Sequence, residues 1–244
     1  MLCTSGASVH SSRVLSLEQL AVLARVHEAD LGCAVRGFEL RGRAFDFAAP
    51  EMMGVVNLSQ DSWYRESVCP STESAIERGL ACAKHGAALV DVGGESSVLD
   101  AERSNVDEQT NRLVPVIKGL SEGGVLVSAE TYHPAVAGEC LEAGAVVVNL
   151  TGPGEAEAIY RLCAKHNAGV IICFVQGEHV RAVEDLVLEE DPIPVMLEFF
   201  AREIARAEAA GVEKIFIDPG LGFYYHNLED SAVRIRRQME VFLN

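Results

Sequence analysis

The chain has 244 residues, 49% of them hydrophobic, enough to bury one full core. Its 20 basic and 36 acidic side chains give a net charge of -16, which excludes a nucleic-acid or anionic-membrane surface but not a phosphorylated ligand held by backbone N–H groups. Seven scattered cysteines without a C-x-x-C pair, no secretory leader pattern and no run near the ~20 apolar residues of a membrane span point to reduced thiols in the cytoplasm.

Taken in chain order, Ser16 with Gln19 three residues on, and Leu15 and Leu20 at staple spacing, predicts a capped helix over 16–29 lying on the outside of the domain. Residues 37–47 alternate apolar and polar side chains around Arg41-Gly42, which predicts a hairpin that would plug the bottom of a barrel. From Met52 onward, strands at 52–57, 88–92, 125–129, 146–149, 170–174 and 214–218 alternate with amphipathic helices near 71–86, 106–122, 134–143, 155–167, 192–211 and 227–242. Continuous apolar strands of this kind suit a parallel sheet covered on both faces. They leave two architectures open, a doubly wound open sheet and a barrel. No Gly-x-Gly-x-x-Gly turn follows the first strand, which weakens the dinucleotide-binding version of the open sheet.

The strand ends carry the polar chemistry. Asn57 is followed by Ser59, Asp61, Ser62, Trp63 and Tyr64, a loop able to hold a metal or phosphate oxygens, or simply to cap a helix. Asp91-Val92-Gly93-Gly94-Glu95-Ser96-Ser97 combines two glycines, which free the backbone to curl around a ligand, with oxygen-bearing side chains. Glu130, Asn149 and Asp218 end three further strands. In a closed barrel they face one mouth and suit a flat heterocycle with adjacent N–H donors; singly, each is more commonly a helix N-cap, and it is their convergence that points to a ligand. Asp218-Pro219-Gly220 is a rigid turn that fixes its aspartate. His133, His166 and His179 have no metal-ligand spacing and read as surface residues, and no nucleophile elbow or Walker loop is present.

These stretches resemble the pterin-binding family that includes dihydropteroate synthase. The likeness rests on Met53 to Trp63, Val90 to Ser97, Glu130-Thr131-Tyr132 with Val136-Ala137, Gly144-Ala145 with Val148-Asn149, and Asp218 to Phe223, in the family's order and spacing. The resemblance implies a TIM (β/α)8-type barrel over 36–244, after an N-terminal helical extension over 1–35. It implies folate biosynthesis, with p-aminobenzoate joined to 7,8-dihydropterin methyl diphosphate and diphosphate lost. By the same likeness Asn57 contacts Mg2+ or the diphosphate, Ser97 lies beside the diphosphate, and Asp61 belongs to a loop closing over p-aminobenzoate. Glu130, Asn149 and Asp218 read the pterin edge, and Asp91 joins the substrate-binding set. Family members are often homodimers. Other roles within the likeness are a pterin-dependent methyltransferase and a non-catalytic pterin-binding homologue.

Five departures from the family pattern stand out: Glu130 for an aspartate, Leu150 after Asn149, Cys173-Phe174 for a Met-His pair, Val98 for an arginine, and Tyr224-Tyr225 for Gly-Lys. Each is expected to remove or shift a polar group at the mouth. The family's Ser-Arg-Lys strand and Arg-x-His would follow Asn244, so the resemblance implies six of eight β/α units and a truncated product or fragment.

Overall fold

The computed structural model describes residues 16–31, 35–46, 48–59, 65–95, 104–175 and 193–220. The capping box forms as expected: Ser16 Oγ accepts from the Gln19 N–H at 3.2 Å, and Gln19 Oε1 from the Ser16 N–H at 2.9 Å. The helix is divided, however, into α1 (Leu17–Val26) and α2 (Glu28–Leu31) around His27. Of α1 only Leu23 is buried, while Leu17 is 85% exposed, so this helix is barely packed on the domain it was expected to cover.

The hairpin is β1 (Phe38–Leu40) paired antiparallel with β2 (Arg43–Phe45). Its two-residue turn needs positive φ at both positions, supplied by Arg41 at 45° and Gly42 at 82°. Leu40 and Phe45 point inward, joining Leu89, Leu126, Val146, Val147 and Ile171 in a small apolar cluster at the amino-terminal side of the sheet. Phe38 and Phe45 meet Phe216 edge-on, with centroids 5.0 and 6.4 Å apart. Arg41 ties the tip down through Ser121 Oγ at 2.7 Å and the Gly144 carbonyl at 2.9 Å. The expected plug is therefore present.

Six parallel strands follow: β3 (Met52–Asn57), β4 (Ala87–Gly93), β5 (Val127–Glu130), β6 (Val147–Leu150), β7 (Gly169–Cys173) and β8 (Ile215–Asp218). Their spatial order equals their chain order. Each connection carries a helix: α3 (Thr72–Lys84), α4 (Val106–Glu122), α5 (Pro134–Glu142), α6 (Ala156–Lys165) and α7 (Ile193–Ala209), each packed on the next. A doubly wound sheet reverses its strand order at a switch point; this one never does, which decides for barrel winding. The helix expected over 227–242 lies outside the described residues.

Side-chain alternation sorts the strands into two faces. Val56, Val90, Val92, Val127, Ala129, Val148, Val170 and Ile172 point outward into the main core, against α4, α5 and α6 through residues such as Leu113, Ile117, Val136 and Ile159. The intervening positions point inward: apolar near the plug, polar at the carboxyl ends. Burial on both faces holds for β4 to β7 but not at β3, where Met52 and Met53 are 61% and 42% exposed, nor at the half-buried β8. Each of these two has a strand neighbour on one side only among the described residues.

Candidate active site at the carboxyl ends of the strands

Register brings the predicted residues together. Asn57 pairs with Gly93, Gly93 with Glu130, and Glu130 with Asn149, so four consecutive strands present one row at the mouth. Asp91 sits one inward position below Gly93 on β4, and Asp218 ends β8 opposite Cys173. Asp61 and Ser97 lie outside the described residues, as do Val98 and Tyr224-Tyr225.

Asn57 is anchored by its amide, which donates to Ser67 Oγ at 2.6 Å; Ser67 is fully buried at the end of a short 3-10 turn. Gly93 is a glycine for spatial reasons. A Cβ there would stand 2.6 Å from Glu130 Oε2 and 2.9 Å from Asn57 Oδ1, so any side chain would displace both.

Asp91 and Asn149 form a buried pair, with Asn149 Nδ2 donating to Asp91 Oδ2 at 3.0 Å. The other oxygen of each, Asp91 Oδ1 and Asn149 Oδ1, is buried and has no partner. Ser128 Oγ, on the register partner of Asp91, is likewise buried without a partner, so this end of the sheet holds buried polar atoms that are costly to leave unpaired. Burial raises the Asp91 pKa to about 6, opposed by the hydroxyl of Ser128, its register partner on β5, and by the Asn149 hydrogen bond, and assisted by the nearby Asp218 charge. Glu130 is pushed up to about 8 by burial first, then by the charges of Asp91, Glu95 and Asp218. Asp218 is oriented by its own turn, its Oδ1 accepting from the Gly220 N–H at 2.8 Å. Burial and the Asp218 carboxylate beside it keep the Cys173 thiol protonated. Among the described residues no lysine or arginine pairs with Asp91, Glu130 or Asp218, so the carboxyl groups crowd one another at the mouth and Glu130 keeps its proton at neutral pH.

Glu95 has a role that sequence reasoning missed. Its carboxylate accepts from Tyr132 OH at 2.7 Å, the Ser104 N–H at 3.1 Å and Gln109 Nε2 at 3.5 Å. It thereby fastens the glycine turn after β4 to the start of α4 and to the turn after Glu130. Only the quoted Gly-Gly-Glu and Glu-Thr-Tyr stretches hinted at it.

Two departures were expected to alter the mouth and do not. Leu150 and Phe174 fall at positions that point to the helices. Leu150 is 2% exposed in the main core, and Phe174 packs edge-on against Phe199 with centroids 5.2 Å apart. Apolar residues there fill the core and leave the inward polar row intact. His133 and His166 stand at the ends of separate helices, half-buried, and no group of three or more His, Cys, Asp or Glu able to hold a metal occurs among the described residues. All five described cysteines are free, and no described helix is long and apolar enough to cross a membrane.

The model of a family described as "Pterin binding enzyme" matches residues 53–242. The chain is 32% identical over 194 residues to a type-3 dihydropteroate synthase of Escherichia coli, a match covering 78% of this chain and 74% of that one. It is 30% identical over 190 residues to dihydropteroate synthase of Escherichia coli K12, covering 75% of this chain and 66% of that one, so it spans about two thirds of that relative. A Yersinia pestis dihydropteroate synthase solved with a sulfonamide drug superposes with a TM-score of 0.74 at 27% identity, over 84% of this chain and 75% of that one. A Thermus thermophilus dihydropteroate synthase solved with 6HMPPP does so with a TM-score of 0.66 at 29% identity, over 86% and 74%. With these likenesses running through the strands that carry the polar row, the chain belongs to the pterin-binding enzyme family, as a dihydropteroate synthase-like member.

Proposed function

We propose that this chain is a transferase of folate biosynthesis that binds a dihydropterin methyl diphosphate at the strand mouth and joins it to p-aminobenzoate with loss of diphosphate. The observation that carries this is the buried Asp91–Asn149 pair, which keeps one unpartnered oxygen on each residue at the same end of the sheet as Asp218. Adjacent acceptors in a dry pocket match the adjacent N–H donors along the edge of a pterin ring. The 6HMPPP bound to the Thermus thermophilus relative supports a pterin diphosphate as the ligand class.

In the reaction the p-aminobenzoate nitrogen bonds to the pterin methylene carbon, the carbon–oxygen bond to diphosphate breaks, and the amine releases a proton. Binding and orientation are the protein's share: Asp91, Asn149 and Asp218 fix the ring, and the row ending at Asn57 sets where the diphosphate lies. Asn57 would hold a Mg2+ ion, which would supply positive charge beside the diphosphate. Its amide nitrogen is engaged by Ser67, which leaves Oδ1, a hard oxygen ligand, turned toward the mouth. Bound there, the ion would neutralise charge developing on the leaving group. Free thiols at all five described cysteines support a cytoplasmic setting.

Calorimetric titration with dihydropterin diphosphate, with and without Mg2+, and a coupled assay with p-aminobenzoate test this reading. Saturable binding followed by product formation is the expected result. Binding without turnover would remove the transferase activity and keep the site, whereas no pterin binding would remove both.

A further inference from the structure

We propose that Glu95 and Tyr132 form a positioning pair that holds the diphosphate end of the mouth, apart from the residues that hold the pterin ring. This rests on the reading of the mouth as a pterin diphosphate site, with the diphosphate along the row from Asn57 to Glu130. The pair stands just past that row. Gly93 and Glu130 are register partners that end neighbouring strands; Glu95 is the second residue after the one and Tyr132 the second after the other. The hydrogen bond from Tyr132 OH to Glu95 Oε2, 2.7 Å long, therefore ties the two strands together where the chain leaves them.

Further bonds meet at the same point. The Ser104 N–H donates to Glu95 Oε1 and Gln109 Nε2 to Glu95 Oε2, while Gln109, itself buried, also donates to the Ser104 carbonyl at 3.2 Å and accepts from Thr131 Oγ1 at 3.5 Å. A carboxylate suits such a point, because it accepts at both oxygens and carries no donor to oppose those it receives. The Tyr132 distance is that of a charge-assisted bond, the stronger kind. The turn between the row and this carboxylate is fixed from two other sides. Leu58 N–H donates to the Gly93 carbonyl at 2.8 Å, and a Cβ on Gly94 would stand 3.0 Å from Leu113 Cγ on α4. The residues that fix the ring are held by different bonds, Asn149 to Asp91 and the Gly220 N–H to Asp218. Releasing Tyr132 from Glu95 therefore loosens one end of the mouth and leaves the other in place.

The test compares two ligands on the full chain by calorimetry: the dihydropterin methyl diphosphate, and the same pterin with a hydroxyl in place of the diphosphate. The ratio of their affinities reads the diphosphate's share alone. Tyr132→Phe removes one oxygen and keeps the ring, and Glu95→Gln keeps the shape but sets an N–H2 against one of the donors. Each is expected to lower the ratio about tenfold, with affinity for the hydroxymethyl pterin within about twofold of wild type. The double variant is expected to lose little more than either single one, because the two changes break the same contact. In the coupled assay, KM for the pterin diphosphate is expected to rise with a smaller change in kcat. Thermal melting by circular dichroism separates a merely structural bond. A lowered melting temperature with the ratio unchanged, equal losses for both ligands, or additive losses in the double variant would overturn the positioning role while leaving the proposed function standing. If wild type bound neither pterin, the proposed function would fail, and this inference with it.

Discussion

Asp91 and Asn149 act as one unit, because the hydrogen bond between them fixes which oxygen of each is left for a ligand. Replacing Asp91 with Asn keeps the shape and removes the charge, and a hydrogen bond to a charged group contributes about 1.5–3 kcal/mol. Pterin affinity is therefore expected to fall on the order of ten- to a hundredfold, read by calorimetry. Unchanged affinity would remove Asp91 from the ring-binding set. The polar residues of the mouth were readable from sequence because each ends an apolar strand, and alternation assigns it a face. Their partners were not, since the Asp91–Asn149 bond joins positions 58 apart and the Tyr132–Glu95 bond positions 37 apart. Alternation also explains Leu150 and Phe174: as departures from a family pattern they looked like losses at the mouth, but their parity sends them to the helix side.

At the scale of elements, the strand and helix periods and their caps were readable locally. The helix expected over 106–122 is found as α4, Val106–Glu122, because Asn105 and Glu108 form a capping box at its start. The break between α1 and α2 had no local marker. The hairpin shows how a short element supports the site from the opposite end. Phe45 is 3% exposed and wedged between Phe38 and Phe216, the latter two positions before Asp218 on the inner face of β8. Phe45→Ala is expected to cost about 3–5 kcal/mol of stability, as for large aromatic side chains removed from cores. Chemical denaturation measures this. A loss below ~1 kcal/mol would show that the plug contributes little to holding the strand ends.

For the whole molecule, alternating β/α units gave the parallel sheet, but periodicity alone left both barrel and open sheet, and only the family resemblance pointed to a barrel before the strand order was known, because neighbour order is a non-local property. Barrel winding sends the inward carboxyl groups to one mouth, with Asp91 the deepest of them, and the molecule bears the cost of burying it when empty. Asp91, with an ordinary value of 3.8, is raised to about 6, chiefly by burial. Below the lower value it is protonated in folded and unfolded chains alike, so its burial costs nothing from charge. Between the two values the unfolded chain ionises while the folded one keeps its proton. The native state then binds more protons, and stability falls as pH rises, until the full penalty is reached above the folded value. The ligand-free protein is therefore expected to lose melting temperature between about pH 4 and 6 from this source, and Asp91→Asn to remove that part of the slope. Thermal melts of both proteins across that range decide it, and parallel curves would show that Asp91 is not the group responsible. N–H donors from a pterin edge would favour the charged form of Asp91. Binding near pH 6 is thus expected to release protons, seen as a calorimetric heat that depends on the buffer, and Asp91→Asn to diminish that dependence.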